Sequence, residues 1–196
     1  MKKIKNKLII ILVFAFMLSG CLGIEKEATT IFRNPDGSVK VIWQAYGVKS
    51  DQGKSKEELE KDYQALLKTL SKENYEAQKV PSYVKIWIND RGFLEGVAEY
   101  DYADFKSVYE DGEIVTVEGD IILLKLASEI DNKKNVQTNG KKMIKENDFS
   151  IQWSMDTPVL TWSITYPEEA MYDNKLAELF KKKNPKGMIE KRFDAE

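Results

Sequence analysis

A single cysteine, Cys21, in a chain of 196 residues that has no histidine, decides how this protein can hold itself together. One thiol cannot close an intramolecular disulfide, and one sulfur without any imidazole cannot assemble a Cys/His zinc site. The Ser-His-Asp and Cys-His pairings of nucleophilic hydrolases are excluded on the same grounds. Stability must therefore come from an apolar core, and a domain of this size can bury about 70% of its unfolded surface. The composition allows it: 42% of residues are hydrophobic, 11% aromatic and 32% charged, the profile of a globular chain.

The surroundings of Cys21 give the thiol another use. Lys2, Lys3, Lys5 and Lys7 make a basic segment, and Leu8 to Leu18 is an unbroken apolar run, the shape of a secretory signal. As a helix the run would span roughly 17 Å against a hydrocarbon core of about 30 Å, too short for a comfortable membrane crossing. The sequence Leu18-Ser19-Gly20-Cys21 resembles the lipobox of bacterial lipoproteins. That resemblance, confined to residues 1–21, implies that residues 1–20 are a cleaved signal peptide. It also implies that Cys21 becomes the mature N-terminus, bearing a diacylglyceryl thioether and an N-acyl chain such as palmitate. An ordinary cleaved signal with a coincidental cysteine, or an uncleaved anchor, are the plain alternatives. Two or more acyl chains, at roughly 0.8 kcal/mol per buried methylene, hold far more firmly than one. The expected partner is a membrane that the chain is anchored to but does not span. The expected place is the extracytoplasmic cell envelope: the outer membrane where the cell has one, otherwise the outer face of the plasma membrane.

Removal of residues 1–20 takes four of the thirty basic residues and leaves 26 against 32 acidic, a net charge near −6. No basic stripe remains, which argues against nucleic acid as a partner. Residues 21–27 read as a lipidated N-terminus and short tether, and 28–196 as a single extracytoplasmic domain.

Within that domain, Ala28–Arg33 and Ser38–Ala45 flank Asn34-Pro-Asp-Gly37 as a hairpin, with Val39, Val41, Trp43 and Ala45 on the face expected to be buried. Ser55-Lys-Glu-Glu58 has the form of a capping box before Leu59, Tyr63, Leu66, Leu67 and Leu70, predicting an amphipathic helix near 55–74. Ser82–Ile88 and the run from Phe93 around Asn89-Asp-Arg-Gly92 predict a second hairpin. Strands flanking Glu110-Asp-Gly112 follow, the second a long one from Ile114 to Leu126 with Gly119 as a bulge or bend. Residues 131–147 read as a surface loop. Phe149–Met155 and Val159–Tyr166 read as a third hairpin around Asp156-Thr-Pro158, and a C-terminal helix near 167–183 closes on Asn184-Pro-Lys-Gly187. The fold class is α+β, with a mainly antiparallel sheet built from hairpins.

Three short stretches, Asn34-Pro-Asp-Gly-Ser38, Thr138-Asn-Gly140 and Phe149-Ser-Ile-Gln-Trp153, resemble in their order the extracytoplasmic lipoproteins of the LppM type. The resemblance implies an α+β envelope lipoprotein that binds lipid or glycolipid, and it implies no catalytic residues. Residues 167–196 are highly charged where some relatives carry a membrane helix.

Candidate sites each have a plainer reading beside the sharp one. Trp43, Trp87, Trp153 and Trp162 stack on ligands or pack the core of a sheet. Tyr100 and Tyr102 alternate with Glu99 and Asp101, so the rings are a ligand-binding platform, the carboxylates with Asp104 are calcium ligands, or the whole is a half-buried strand. Glu110, Asp111, Glu113, Glu118 and Asp120 are a carboxylate pair for glycosidic chemistry or a solvated hairpin tip. Lys181–Lys183, Lys186, Lys191 and Arg192 meet anionic headgroups or end a soluble helix and frayed tail. No catalytic residue, resident metal or other cofactor is expected. The leading expectation is a non-enzymatic lipoprotein that binds a lipid, glycolipid or envelope component. The alternative is a structural or assembly partner acting through protein contacts. An enclosed apolar cavity between the sheet and the helix near 55–74 would favour the first; a filled core with an exposed apolar patch would favour the second.

Overall fold

The computed structural model describes residues 22–51, 53–75, 79–110, 115–126, 135–145, 148–166 and 172–194. Its strands are β1 (Leu22–Arg33), β2 (Val39–Asp51), β3 (Tyr83–Ile88), β4 (Leu94–Tyr102), β5 (Thr116–Glu118), β6 (Ile121–Leu126), β7 (Val136–Thr138), β8 (Lys141–Lys145), β9 (Asp148–Ser154), β10 (Val159–Thr165), β11 (Tyr172–Asp173) and β12 (Met188–Arg192). The helices are α1 (Lys56–Lys68), α2 (Phe105–Glu110) and α3 (Lys175–Lys183), with a 3-10 turn at Lys72–Tyr75. All pairings among the described residues are antiparallel, and the protein is α+β as its hairpin pattern predicts.

Turn chemistry sets the first two hairpins. Between β1 and β2 the Asp36 carboxylate accepts from Ser38 N–H at 2.9 Å and Ser38 Oγ at 2.7 Å, bonds that hold its carboxyl below the usual range, while Gly37 takes φ 90°. Between β3 and β4 the Asn89 Oδ1 accepts from the N–H groups of Arg91 and Phe93 at 2.9 and 3.0 Å. The capping box closes as read: Ser55 N–H donates to Glu58 Oε2 at 2.8 Å and Glu58 N–H to Ser55 Oγ at 3.3 Å.

The larger sheet runs β12-β3-β4-β2-β1-β10-β7, with β11 added beside β2; the smaller runs β5-β6-β9-β8. Directly opposed residues share a face, so the inner face of the larger sheet can be followed across strands. Val39, Val41 and Ala45 point inward as expected, at 1–2% exposure, with Trp43 partly buried between them. The register then shifts between Ala45 and Val48, where Gly47 sits at φ 61° with the Glu25 side chain lying over it. The extra residue exchanges the faces of β2, so that Val48 and Ser50 are the buried ones beyond it.

Two covers protect this inner face. At one end α1 and α3 contribute Tyr63, Leu66, Leu176, Ala177 and Phe180 against Leu22, Ala45, Val48, Ile86 and Leu94. At the other end the smaller sheet contributes Ile122, Leu124, Phe149, Ile151 and Trp153 against Ile31, Val41, Tyr100, Leu160 and Trp162.

Several expectations are corrected. The tether at 22–27 is the first half of β1: Leu22 is 1% exposed and pairs with Ser50, because its side chain completes the core under the helices. Phe149–Met155 and Val159–Tyr166 do not form a hairpin. β9 pairs with β6 and β8, whereas β10 pairs with β1 and β7, so Asp156-Thr-Pro158 passes the chain from one sheet to the other. The loop at 131–147 contains β7 and β8, edge strands that expose Gln137, Lys141, Lys142 and Ile144; residues 131–134, 146 and 147 lie outside the described residues. The long strand to Leu126 is folded back on itself at Gly119, φ 60°, giving β5 and β6. Ahead of Glu110 a helix replaces the expected strand: Phe105, Val108 and Tyr109 have helical spacing, and Asp104 accepts from Ser107 N–H at 2.8 Å. The C-terminal helix begins at Lys175 instead of 167, with β11 before it and residues 167–171 outside the described residues. The tail beyond Gly187 is β12, paired with β3 along the sheet edge.

Candidate functional site

The lipobox residues Leu18, Ser19, Gly20 and Cys21 lie outside the described residues, and no described helix is long and apolar enough to cross a membrane. What the structure places is their successor. Leu22 is locked into the sheet, so any group on Cys21 is attached next to the folded edge of the domain.

Tyr100 and Tyr102 do share a face, as their alternation implies, but it is the inner one. They are 9% and 4% exposed, and burial pushes the Tyr100 phenol well above its ordinary value. An exposed stacking platform at these two residues is therefore corrected to core packing: Tyr102 lies opposite Val39 and Tyr100 opposite Val41 under the smaller sheet. The outward carboxylates of Glu99 and Asp101 are taken by Lys40 at 2.9 and 3.4 Å, and Asp104 caps α2. Among the described residues no group of three or more carboxylates could hold a metal ion. Asp111 and Glu113 lie outside them, while Glu118 and Asp120 are exposed at the β5–β6 tip.

The tryptophans divide. Trp153 and Trp162 are buried with ring centroids 5.9 Å apart. Thr138-Asn-Gly140 and Phe149–Trp153, separate pieces in the sequence, meet here. Asn139 Oδ1 accepts from Trp153 Nε1 at 2.8 Å and Thr161 N–H at 2.9 Å, while its Nδ2 donates to Val159 O at 2.7 Å. The group forms a joint between the two sheets.

Trp43 belongs to a site that sequence reasoning missed. Glu27 lies opposite Ala45 and Ile164, one from each core cluster, so its carboxylate sits on the seam between the helical and sheet covers. It accepts from Trp43 Nε1 at 3.3 Å and Tyr166 Oη at 2.6 Å, and burial together with this carboxylate drives the Tyr166 phenol strongly upward. The available signal was an acidic residue at an inward strand position. The carboxylate thereby orients two aromatic groups, one on β2 and one beyond the end of β10.

The space where a carried ligand would sit, between α1 and the sheet, measures about 10 Å3, lined by Val48, Leu66, Thr69, Val84 and Ile86. Ligand pockets are about 300–1,000 Å3, and even one water needs roughly 10–15 Å3. Among the described residues no helix or strand packs on the other face of the larger sheet, which presents Phe32, Ile42, Tyr83, Trp87, Val97 and Met188 among paired charges. Comparison with protein-family models, with curated proteins and with solved structures gives no match.

Proposed function

We propose that this protein is a lipid-anchored extracytoplasmic lipoprotein, acylated at Cys21, that works without catalysis through contacts with another envelope protein. The filled space between α1 and the sheet carries the choice of protein contact over lipid or glycolipid carriage: at about 10 Å3 it is far below the volume of an acyl chain or sugar site. The open face of the larger sheet supplies the contact surface. The basic segment, apolar run and Leu18-Ser19-Gly20-Cys21 support the anchor. The outer membrane, or the outer face of the plasma membrane in a cell with one membrane, is the proposed location.

Metabolic labelling with an alkyne fatty acid tests the anchor. Wild-type protein takes up the label and Cys21→Ser does not; a wild-type chain without label, or label surviving the substitution, defeats the anchor. Native mass spectrometry of the full-length protein tests the mode of action. Only the covalent lipid is expected, and a stoichiometric second lipid or glycolipid would restore the carrier reading.

A further inference from the structure

We propose that the exposed face of α3 and the Asn184–Gly187 turn dock on the anionic lipid surface in which the Cys21 anchor is embedded. This rests on the anchor reading and adds an orientation to it. Leu22 pairs with Ser50, and Ser50 pairs with Asp173, the residue two before α3 begins. Two interstrand steps of about 4.8 Å place residue 173 about 10 Å from the first residue after the anchor. No spacer intervenes, since Leu22 itself is buried.

From there α3 runs along this end of the sheet. Asn174 Nδ2 donates to Gly92 O at 3.0 Å, tying the start of the helix to the β3–β4 turn. At the other end of α3, Ile88 N–H donates to Gly187 O at 2.9 Å, so the turn that follows the helix returns to the same end of β3. Nine residues make the helix about 13 Å long, so its far end is at most about 23 Å from Leu22.

The chemistry of the exposed side suits anionic headgroups. Residues 175–187 carry five lysines and one glutamate in a chain whose processed form is net acidic. Leu176, Ala177 and Phe180 face the core, leaving Lys175, Glu178, Lys181, Lys182 and Lys186 exposed. Asp173 pairs with Lys175 at 2.8 Å and Glu60 with Lys183 at 2.5 Å, so the cations offered to headgroups are chiefly Lys181, Lys182 and Lys186. Beside the turn, Arg91 lies over the Phe93 ring at 5.6 Å. An aromatic ring and basic groups together at one end are the pattern of a membrane interface.

Acylated full-length protein in vesicles tests the orientation. With Cys21 acylated, a cysteine introduced by Glu178→Cys, or by Asp156→Cys at the opposite end of the strands, is the single free thiol for a spin label. In equal parts phosphatidylcholine and phosphatidylglycerol, the label at 178 should collide with a headgroup-borne nickel chelate while the label at 156 does not. Combining Lys181→Gln, Lys182→Gln and Lys186→Gln, all exposed, should lower the ratio of docked to undocked protein by on the order of 100-fold. An acylated protein whose label at 178 is as remote as that at 156 overturns the docking and leaves the anchor standing. Equal docking on phosphatidylcholine alone overturns the role of the lysines. A chain that takes no acyl group overturns both readings.

Discussion

The helical and sheet covers of the larger sheet achieve burial by different means. Under α1 and α3 the contacts are of volume: Phe180 is fully buried, with its ring centroid 6.3 Å from that of Tyr63 and the planes at 62°. Under the smaller sheet they are of fit, because Gly140 packs against Ile151 and Trp153, and Asn139 bonds both sheets. A helix end can shift slightly to refill a void, whereas a hydrogen-bonded joint has a fixed spacing. The two halves should therefore respond differently to substitution.

The largest effect is expected at the helical end. Phe180→Ala should cost about 3–5 kcal/mol in urea unfolding, the cost of a large core cavity; a loss below about 1 kcal/mol would mean that the helices are not part of the cooperative unit. At the joint, a Cβ on Gly140 would lie 2.6 Å from Ile151 Cγ2 and from two Trp153 ring atoms. Gly140→Ala should cost about 1–3 kcal/mol through overpacking, with a changed near-ultraviolet signal from the Trp153–Trp162 pair. An unchanged signal would show that the joint yields more easily than its bonding implies.

Smaller effects sharpen the helical side. Ser55→Ala should cost about 1 kcal/mol by opening the cap of α1, read from the same unfolding curves. Ser50→Ala should have the opposite sign. Ser50 is fully buried and its Oγ has no hydrogen-bond partner among the described residues, so removing the hydroxyl should stabilise by up to about 1 kcal/mol. A destabilised Ser50→Ala would reveal a partner for that oxygen.

The smallest expected effect is in pH dependence. Burial raises the Asp62 carboxyl above its ordinary value, with the 2.5 Å contact to Lys54 opposing the shift. Because the folded protein binds this proton more tightly than the unfolded chain, the contribution of Asp62 to stability is greatest at low pH. It is lost as the pH rises through the raised folded value. Asp62→Asn should flatten that part of the stability curve; an unchanged slope would assign it to other groups.

The local features were legible and the long-range ones were not. Asn34–Gly37, Asn89–Gly92 and Ser55–Glu58 contain the atoms that form their own turns and cap, so sequence alone places them. Asp156-Thr-Pro158 has the chemistry of a turn whether its flanking strands pair or part, and the choice depends on β1 and β6, distant in the chain. The alternation of Tyr100 and Tyr102 with acids identifies a shared face, but only the smaller sheet determines that this face is closed. Likewise, Glu25, Lys26 and Glu27 dilute the strand pattern at the start of β1, hiding both the missing tether and the Glu27 seam.

The place of β1 in the middle of the larger sheet has a consequence for the order of assembly. One edge of β1 is satisfied early by its hairpin partner β2, while the other is filled by β10, with Lys26 paired to Thr165. In a chain made from its N-terminus, that second edge stays open until nearly all of the protein has emerged. Closing it is a late, non-local step, and β1 is the strand most in need of protection against pairing with a neighbouring chain before then.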